Sequence, residues 1–556
     1  MLFRSGACGH DCPDTCGWVV TVADGIATRM VGDASHPFTR GALCAKVNHY
    51  LDRVYHPDRV LHPLKRVGAK GTAKFTRVSW KDALADIAAR WQQIIATHGA
   101  EAILPYSSAG VQALVQQQSL DARLFGSMGC SNLDRNICGA VASAGLTATI
   151  GTGTGIDPEQ VVHSRYIVLW GTNTLVTNLH YWPYIREARA RGAKLVVIDP
   201  RRISVADRAD VHLAVRPGTD VVLGYAIAAW LVDNGHVDRA FVDRHVTGFD
   251  EFVAAAREWS IDRAAEVCGV DAADILQVAE WIATIKPATL RAGWGMERNR
   301  NGASGYLAAF GVWAIAGHFG ELGSGILDST SKAFPNSVLV EWPAGVERPV
   351  RGTINMNRVG RILNGDRSEW PVAPRVLVIQ GANPAVTSVD QVGMLEALSR
   401  EDVFTVVHEQ VMTDTAVYAD VVLPATSHFE IHDVIGSYGS YTAQENTKVI
   451  ERVGESRSNG EVAEAVWAPI DPLLQQRLNQ GGARRTGQPL PPPAPGRAAQ
   501  QGSRQAQSVR PGQAPRAVIN TGTDARRTIP TPGRPAAAGA APRPTKRVKP
   551  ARSAKM

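Results

Sequence analysis

The sequence predicts an α/β protein with a small cysteine-bearing N-terminal domain, two Rossmann-like α/β domains related by an internal repeat, and a disordered C-terminal tail. Helix-length apolar patterns alternate with short runs rich in Val and Ile, which is typical of strands covered by helices. Two such segments match each other at a constant spacing. The tail, residues 466–556, is instead rich in Pro, Gly, Ala and Arg and buries too little apolar surface to fold.

The net charge of +7 comes from the tail. Residues 481–556 contain 15 Lys and Arg and one acid, Asp524, so this part carries +14 and residues 1–480 carry −7. A basic end without a folded basic face does not indicate specific nucleic-acid binding. The N-terminus has no apolar signal segment, and runs such as residues 221–232 are too short to span a bilayer. The sequence therefore predicts a cytoplasmic protein without a transmembrane segment.

Cysteines cluster near the N-terminus, which in a cytoplasmic protein indicates metal or redox chemistry. Four of the seven are Cys8, Cys12, Cys16 and Cys44. Three thiolates in one loop and a fourth from further along are typical of a cubane iron–sulfur cluster. Zinc is the alternative, although it favours paired C-x2-C knuckles. His10 is an alternative ligand, and Lys46, taken alone, is an ordinary surface lysine.

Two segments match each other 210 residues apart. They are Tyr166–Trp170 with the turn Gly171-Thr172-Asn173, and Val376–Gln380 with the turn Gly381-Ala382-Asn383-Pro384. Asp199 and Glu409, downstream, keep the same spacing. A strand, a glycine turn, a helix and a second strand ending in an acid form a mononucleotide-binding half, whose turn N–H groups bind pyrophosphate. Each turn alone is a weak motif, but two copies in register predict two nucleotide-binding domains.

Two polar segments follow short strands in the first of these halves. They are Asp199-Pro200-Arg201-Arg202 and Arg216-Pro217-Gly218-Thr219-Asp220. Arginines and turn N–H groups beside strand ends suit phosphate oxygens, and the Asp220 carboxylate could accept two hydrogen bonds from a guanine edge. The alternative is that both segments are simply polar turns.

Together these residues resemble the molybdopterin oxidoreductases of the dimethyl sulfoxide reductase superfamily, over about residues 5–455. The motifs are Cys8-Gly-His-Asp-Cys12-Pro-Asp-Thr-Cys16, Gly41-Ala-Leu-Cys44-Ala-Lys46, Val197-Ile-Asp199-Pro-Arg-Arg202, Arg216-Pro-Gly-Thr-Asp220 and Ala419-Asp-Val-Val-Leu-Pro424. The resemblance implies an N-terminal [4Fe-4S] domain and a molybdenum or tungsten ion held by two molybdopterin guanine dinucleotides.

The resemblance also implies roles for single residues. The four cysteines would hold the [4Fe-4S] cluster, and Lys46 would lie on the electron path between cluster and pterin. One dinucleotide site would include Gly171, Asn173, Asp199, Pro200, Arg201, Gly218 and Asp220. The other would include Gly381, Asn383 and Pro384. Gly295, in the glycine-turn segment 293–300, would lie near a pterin.

Cys138 lies where the family places a Cys, selenocysteine, Ser or Asp ligand on the metal. A thiolate suits molybdenum, and beside a cationic metal it is deprotonated. The alternative is a buried inert cysteine, the interpretation we favour for Cys130 and Cys268. Formate dehydrogenases of the family usually have a histidine next, so Gly139 favours a sulfur-oxyanion, S-oxide, N-oxide or other oxo substrate.

The function implied is two-electron oxo or hydride/proton transfer, with electrons relayed singly through the cluster. The partners implied are a small-molecule substrate and a ferredoxin-like electron-transfer subunit. The family pattern stops before the tail, so the C-terminal dinucleotide-binding domain of the family would be lacking. The alternative function is a truncated, non-catalytic remnant that carries the cluster as an electron-transfer or scaffold subunit.

We expect the chain to divide at these family boundaries. The predicted ranges are a [4Fe-4S] domain at 1–58 with a returning segment near 430–455, a first α/β domain combining 59–150 with 331–429, a second at 151–330, and the tail at 466–556. Ser79 is predicted to cap a helix over residues 80–98.

Overall fold

The computed structural model describes residues 1–119, 124–151, 155–333 and 351–467. The predicted disordered tail lies, apart from its first two residues, outside these ranges. Residues 120–123 and 334–350, which belong to the predicted first α/β domain, also lie outside them, as do residues 152–154 of the second. None of the helices within the ranges combines the length and the apolarity that a bilayer crossing needs.

The strands of the described ranges alternate with helices through most of the chain. In chain order they are β1 (Leu2–Ala7), β2 (Gly17–Ala23), β3 (Ile26–Gly32), β4 (Leu64–Arg66), β5 (Phe75–Arg77), β6 (Ile103–Ser107), β7 (Asn132–Asp134), β8 (Tyr166–Trp170), β9 (Lys194–Ile198), β10 (Val211–Leu213), β11 (Ala288–Ala292), β12 (Gly325–Leu327), β13 (Thr353–Asn355), β14 (Val376–Gln380), β15 (Phe404–Glu409), β16 (Val421–Pro424), β17 (Asp433–Gly436) and β18 (Ala443–Asn446).

Most of the α-helices cover the faces of two large sheets, whereas the first two belong to the cysteine domain. They are α1 (Ala45–Asn48), α2 (Tyr50–Val54), α3 (Trp80–His98), α4 (Gly126–Met128), α5 (Ala140–Ile150), α6 (Tyr181–Ala190), α7 (Asp220–Asp233), α8 (Arg239–His245), α9 (Phe249–Ala256), α10 (Ile261–Cys268), α11 (Ala272–Thr284), α12 (Gly302–Ile315), α13 (Val359–Leu363), α14 (Pro384–Thr387), α15 (Gln391–Leu398) and α16 (Asn459–Trp467).

The N-terminal strands form a small antiparallel sheet in the order β1-β2-β3. The loop from β1 to β2, residues 8–16, carries three of the clustered cysteines, and the fourth directly precedes α1. A hairpin of β17 and β18 returns to β1. Phe429, Val449 and Ile450 then pack with Trp18 in the apolar core beneath the cysteine loop.

The sheet β10-β9-β8-β11-β12 is parallel throughout. Every residue of β8 is buried because helices cover both faces of the sheet. Val168 faces a core with α5, α7 and α12, whereas Leu169 faces a core with α6. A strand covered on both faces gives a continuous apolar run in the sequence, as Tyr166–Trp170 does.

The second large sheet has the order β5-β4-β16-β15-β14-β6, in which β4 runs antiparallel to both of its neighbours and the pairs from β16 to β6 are parallel. Leu377 faces a core with α13 and α15, and Val378 faces one with α3. The predicted cap of α3 is confirmed. The helix spans Trp80–His98, and the Ser79 hydroxyl accepts a hydrogen bond from the Asp82 N–H at 3.1 Å.

The α/β fold with two related sheets is confirmed, and the structure extends the repeat by one strand. β8, β9 and β10 correspond to β14, β15 and β16. In the first sheet the extra parallel strand is β11, where Ala288 pairs with Tyr166. In the second sheet it is β6, where Ile103 pairs with Val376. Because β11 follows its partner in the chain and β6 precedes its own, the constant spacing of 210 residues could not reveal this correspondence.

A buried ion pair joins the chain after the cysteine domain to the returning segment. The Arg59 guanidinium contacts the Glu430 carboxylate, and the two side chains are 1% and 0% exposed. Glu430 also accepts hydrogen bonds from the Ser427 and Val453 N–H groups, at 2.6 and 2.8 Å. The returning segment is therefore fixed by one carboxylate.

Glu430→Gln should lower the free energy of unfolding by about 3–5 kcal/mol, because it leaves the Arg59 charge buried without its partner. The urea midpoint followed by circular dichroism measures the loss. Asp243→Asn is the control, since it breaks an exposed pair with Arg239 and should leave the midpoint nearly unchanged. Equal losses in the two variants would contradict the expectation.

Candidate cluster and pterin site

The cysteine loop folds so that the four thiols gather. The Cys8 N–H donates to the Cys16 carbonyl at 2.8 Å, which closes the loop. The Cys16 thiol lies near enough to the other three for their charges to act on it. Burial raises the pKa of Cys8 and of Cys12 to about 12, so these thiols stay protonated at neutral pH unless a metal cation displaces their protons.

The sequence spacing of the ligands, C-x3-C-x3-C-x27-C, differs from the paired C-x2-C knuckles that zinc favours. In a cubane each of four thiolates binds a different iron. The donor set, four cysteine sulfurs on a short loop and its return, therefore fits a [4Fe-4S] cluster.

A buried histidine that sequence reasoning missed lies against the cysteines. His180 is 3.7 Å from the Cys16 sulfur through Nε2. Its Nδ1 lies 2.7 Å from the Asp14 carboxylate and its Nε2 lies 3.0 Å from the Ala42 carbonyl. These two contacts fix the orientation of the ring beside Cys16. Asn178 donates to the other Asp14 oxygen, which leaves both carboxylate oxygens engaged.

Lys46 and His10 flank the same loop. Lys46 is exposed in α1, and its charge lowers the pKa of Cys8 against the larger effect of burial. The structure thus brings Lys46 close to the cysteines, as its predicted electron-path role requires. His10 packs edge-on against Tyr50, with ring centroids 5.1 Å apart, and burial lowers its pKa to about 4.

At the carboxyl edge of the first parallel sheet, the turn after β8 contacts the turn after β11. The Gly295 N–H donates to the Gly171 carbonyl at 3.0 Å, and a Cβ on Gly295 would lie 2.6 Å from that oxygen. Glycine is therefore required for this approach. The predicted Asn173 belongs to the same turn, where its Oδ1 accepts from the Leu175 N–H at 3.3 Å.

The two predicted acids of this edge lie close together. Asp199 accepts from the Arg201 N–H at 2.9 Å in an exposed turn with Pro200, and its charge acts on Asp220. Gly218 lies in the turn just before Asp220, and its carbonyl oxygen accepts a hydrogen bond from the Asn301 side-chain amide at 2.9 Å. Asp220 is buried, and its Oδ1 already accepts from the Trp170 indole at 2.7 Å. One oxygen rather than two is thus left for a guanine edge.

The carboxyl edge of the second sheet repeats this arrangement. A Cβ on Gly110 would lie 2.6 Å from the Gly381 carbonyl oxygen. Counted from the paired residues Ala288 and Ile103, Gly295 and Gly110 both lie seven residues further along. Gly110 is therefore the counterpart of Gly295, a match that the 210-residue spacing could not indicate.

The remaining predicted residues of the second edge form a firm turn. Asn383 accepts from the Thr415 N–H at 3.1 Å and from its hydroxyl at 2.6 Å. Pro384 is the first residue of α14, where its missing N–H is not needed. The turn leads into a cavity of about 350 Å³ that Gly381 and Glu409 also line.

A histidine without hydrogen-bond partners among the described residues faces this cavity from the side of the cysteine loop. His428 lines the cavity with His10, and both of its ring nitrogens are buried without a hydrogen-bond partner among the described residues. Leaving such a group unpaired costs about 1–3 kcal/mol. A polar ring group bound between the glycine turn and His428 would recover this energy, so the cavity fits a pterin or nucleotide base.

Cys138 opens into a different cavity of about 520 Å³. Trp294 and Tyr438, whose ring centroids are 5.1 Å apart, line it, and the Tyr438 hydroxyl donates to Asp11 at 3.0 Å. Burial raises the pKa of Cys138, and a hydrogen bond from Arg298 opposes that rise. The predicted metal ligand is thus the soft donor of a partly aromatic chamber. Cys130 and Cys268 are buried, as predicted for inert cysteines.

A buried carboxylate that sequence reasoning passed over holds the Cys138 loop. Glu297 accepts from the Gly139 N–H and from the Ala142 N–H, both at 2.9 Å, and so caps the N-terminus of α5. Its neighbour Arg298 donates to the Ile137 carbonyl. The segment 293–300 therefore fixes the backbone on both sides of Cys138, a role beyond the glycine turn that its sequence suggests.

His180→Gln should lower the reduction potential of the cluster, because it removes the ring that hydrogen-bonds the Asp14 carboxylate and leaves that negative charge less compensated beside Cys16. A redox titration followed by electron paramagnetic resonance measures it. His236→Gln, on a helix end elsewhere, is the control. A potential that is unchanged or higher in His180→Gln would contradict this account.

Comparisons with known proteins agree with these features. The family model for the molybdopterin oxidoreductase Fe4S4 domain matches residues 3–56, and the model for molybdopterin oxidoreductase matches residues 59–468. The chain is 37% identical to the probable oxidoreductase YoaE of Bacillus subtilis (strain 168), over 83% of this chain and 67% of that protein. It is 28% identical to the dimethyl sulfoxide reductase DmsA of Escherichia coli (strain K12), over 75% of this chain and 57% of that protein.

Among solved structures, the acetylene hydratase from Pelobacter acetylenicus matches with a TM-score of 0.71 at 23% identity, covering 85% of this chain and 70% of that chain. This likeness shows the fold. The two family models together span most of the chain, and they support an iron–sulfur cluster and a molybdenum pterin as its cofactors. The chain belongs to the molybdopterin oxidoreductase family, of the dimethyl sulfoxide reductase type with an N-terminal Fe4S4 domain.

Proposed function

We propose that this chain is the catalytic chain of a molybdenum or tungsten oxidoreductase that acts on an oxo substrate. The observation that carries the proposal is the position of Cys138, an accessible thiol on the wall of a chamber of 520 Å³. Glu297 fixes the backbone next to Cys138 by accepting a hydrogen bond from the Gly139 N–H. Two glycine edges, at Gly171 and Gly381, support two pterin guanine dinucleotides as the holders of the metal. The residue after Cys138 is Gly139, which favours an oxo substrate over formate.

When bound, the metal and its pterins supply two-electron oxo or hydride/proton transfer, and the cluster supplies one-electron relay. The chain's own residues prepare the chamber. Arg298 donates to the Cys138 sulfur and so favours the thiolate that a metal needs. Trp294 and Tyr438 give the chamber an aromatic wall, and the Tyr438 hydroxyl is oriented by its hydrogen bond to Asp11.

The electron partner that we propose is a ferredoxin-like cluster subunit, which transfers single electrons. Lys46 supports this route, since its exposed ammonium lies near the Cys8 thiol and makes no ion pair within the described ranges. Its charge would stabilise the reduced, more negative state of the cluster.

A second candidate function is a non-catalytic electron-transfer or scaffold subunit that keeps the cluster. The match spans 67% of the length of YoaE and 57% of DmsA. Whether both dinucleotides are held is the point that separates the two functions.

Elemental analysis of the chain purified without oxygen should give about four Fe and about one Mo or W per chain, with two guanine nucleotides released on acid treatment. Four Fe without Mo or W would reject the catalytic function and support the scaffold. Cys138→Ala should retain the Fe and lose the Mo or W, whereas Cys44→Ala should lose Fe. Cys268→Ala, at a buried thiol away from both sites, is the matched control.

A further inference from the structure

A second acid, Asp328, lines the chamber that contains Cys138. It directly follows β12, at the carboxyl edge of the parallel sheet, next to the strand β11 that carries Arg291. Only 3% of its surface is exposed, yet it shares the cavity wall with Cys138 and Tyr438. No motif in the sequence indicates this residue.

The Asp328 carboxylate differs from the other buried acids around the two sites in having no hydrogen-bond partner among the residues that the structure describes. Its Oδ1 is buried and unpaired, and no described residue donates a hydrogen bond to either oxygen. By contrast, Glu297 has both oxygens occupied at 2.9 Å, and Asp14 has both engaged by His180 and Asn178. A carboxylate with a purely structural role normally has such partners, because leaving it without them costs about 1–3 kcal/mol or more.

The charges that face Asp328 come from three elements. Arg291 on β11 favours the carboxylate, but its guanidinium is committed to the carbonyls of Leu327 and Asp328 at 3.2 and 2.8 Å. Glu297 disfavours the carboxylate by repulsion, and Tyr306 on α12 is a neutral neighbour. Burial outweighs the attraction and raises the pKa of Asp328 to about 7. The group therefore exchanges its proton near neutral pH, where general acid–base catalysis is most effective.

We propose that Asp328 is a proton-transferring residue of the Cys138 chamber, serving the oxygen atom of a bound oxo substrate or of product water. The inference rests on the proposed function. In this step the Oδ–H bond of Asp328 breaks as an O–H bond forms on that oxygen, and the bonding electron pair stays on the carboxylate. A hydronium ion from bulk solvent then returns a proton to Asp328 and is left as water. The step is a proton transfer alone, so Asp328 is neither oxidised nor reduced.

Asp328→Asn keeps the shape of the side chain and removes the exchangeable proton. Infrared difference spectra of the holoenzyme between pH 5 and 9 should contain the carbonyl band of a protonated carboxyl that disappears with a midpoint near pH 7. The band should be lost in Asp328→Asn and retained in Asp243→Asn, an exposed acid on α8.

The second readout is the reduction potential of the bound metal as a function of pH. The slope should change near pH 7 in the unaltered holoenzyme and in Asp243→Asn, and the change should vanish in Asp328→Asn while the Fe and the Mo or W contents stay the same. Retention of the band or of the slope change in Asp328→Asn would overturn the proposal.

Loss of Mo or W from Asp328→Asn would also overturn the proposal, because it would make Asp328 an anchor for the pterin. An unaltered chain that holds no Mo or W would overturn the proposed function and this inference together. A loaded chain on which Asp328→Asn has no effect would overturn this inference alone.

Discussion

The close approach of two backbone turns at the carboxyl edge of each parallel sheet is the constraint on which the site depends. Gly295 meets Gly171 at one edge and Gly110 meets Gly381 at the other, and in each case an added Cβ would lie 2.6 Å from a carbonyl oxygen. Parallel strands end together, so both edges collect their turns in one place. The helices that bury both faces of each sheet support these turns. Asp199, directly after β9, and Glu409, the last residue of β15, lie at the same edges.

Buried carboxylates also hold the residues of the site in position. Glu297 caps α5 beside Cys138, Asp14 hydrogen-bonds the His180 ring beside Cys16, and Glu430 fixes the returning segment. Each is stable in its buried place because its oxygens accept hydrogen bonds or face a cation. Asp328 is the exception, because no donor among the described residues reaches its oxygens and the nearby Arg291 guanidinium is hydrogen-bonded to backbone carbonyls instead.

The cysteine loop is an example of a site that the fold prepares but does not complete. Burial raises the pKa of Cys8 and of Cys12 far above neutrality, so a cation must supply the free energy that keeps these thiols ionised. The same burial beside Trp18 and Phe429 shields the position from water. Lys46 then places positive charge beside the loop, which favours electron uptake there.

The sequence alone determined the α/β class, the paired strands 210 residues apart, the cap of α3 by Ser79, and the four cysteines with Lys46 and Cys138 as candidates. The fold class, the strands, the cap and the cluster cysteines follow from local chemistry, since apolar runs, capping residues and thiol spacing act over short stretches of chain. Lys46 and Cys138 became candidates through the resemblance to the family. Only the tertiary structure decided that β6 and Gly110 complete the second half, that His180 and Asp14 meet Cys16, and that Glu297 and Asp328 flank Cys138. These residues come from distant parts of the chain, and their roles arise from burial and hydrogen bonding that no spacing in the sequence records.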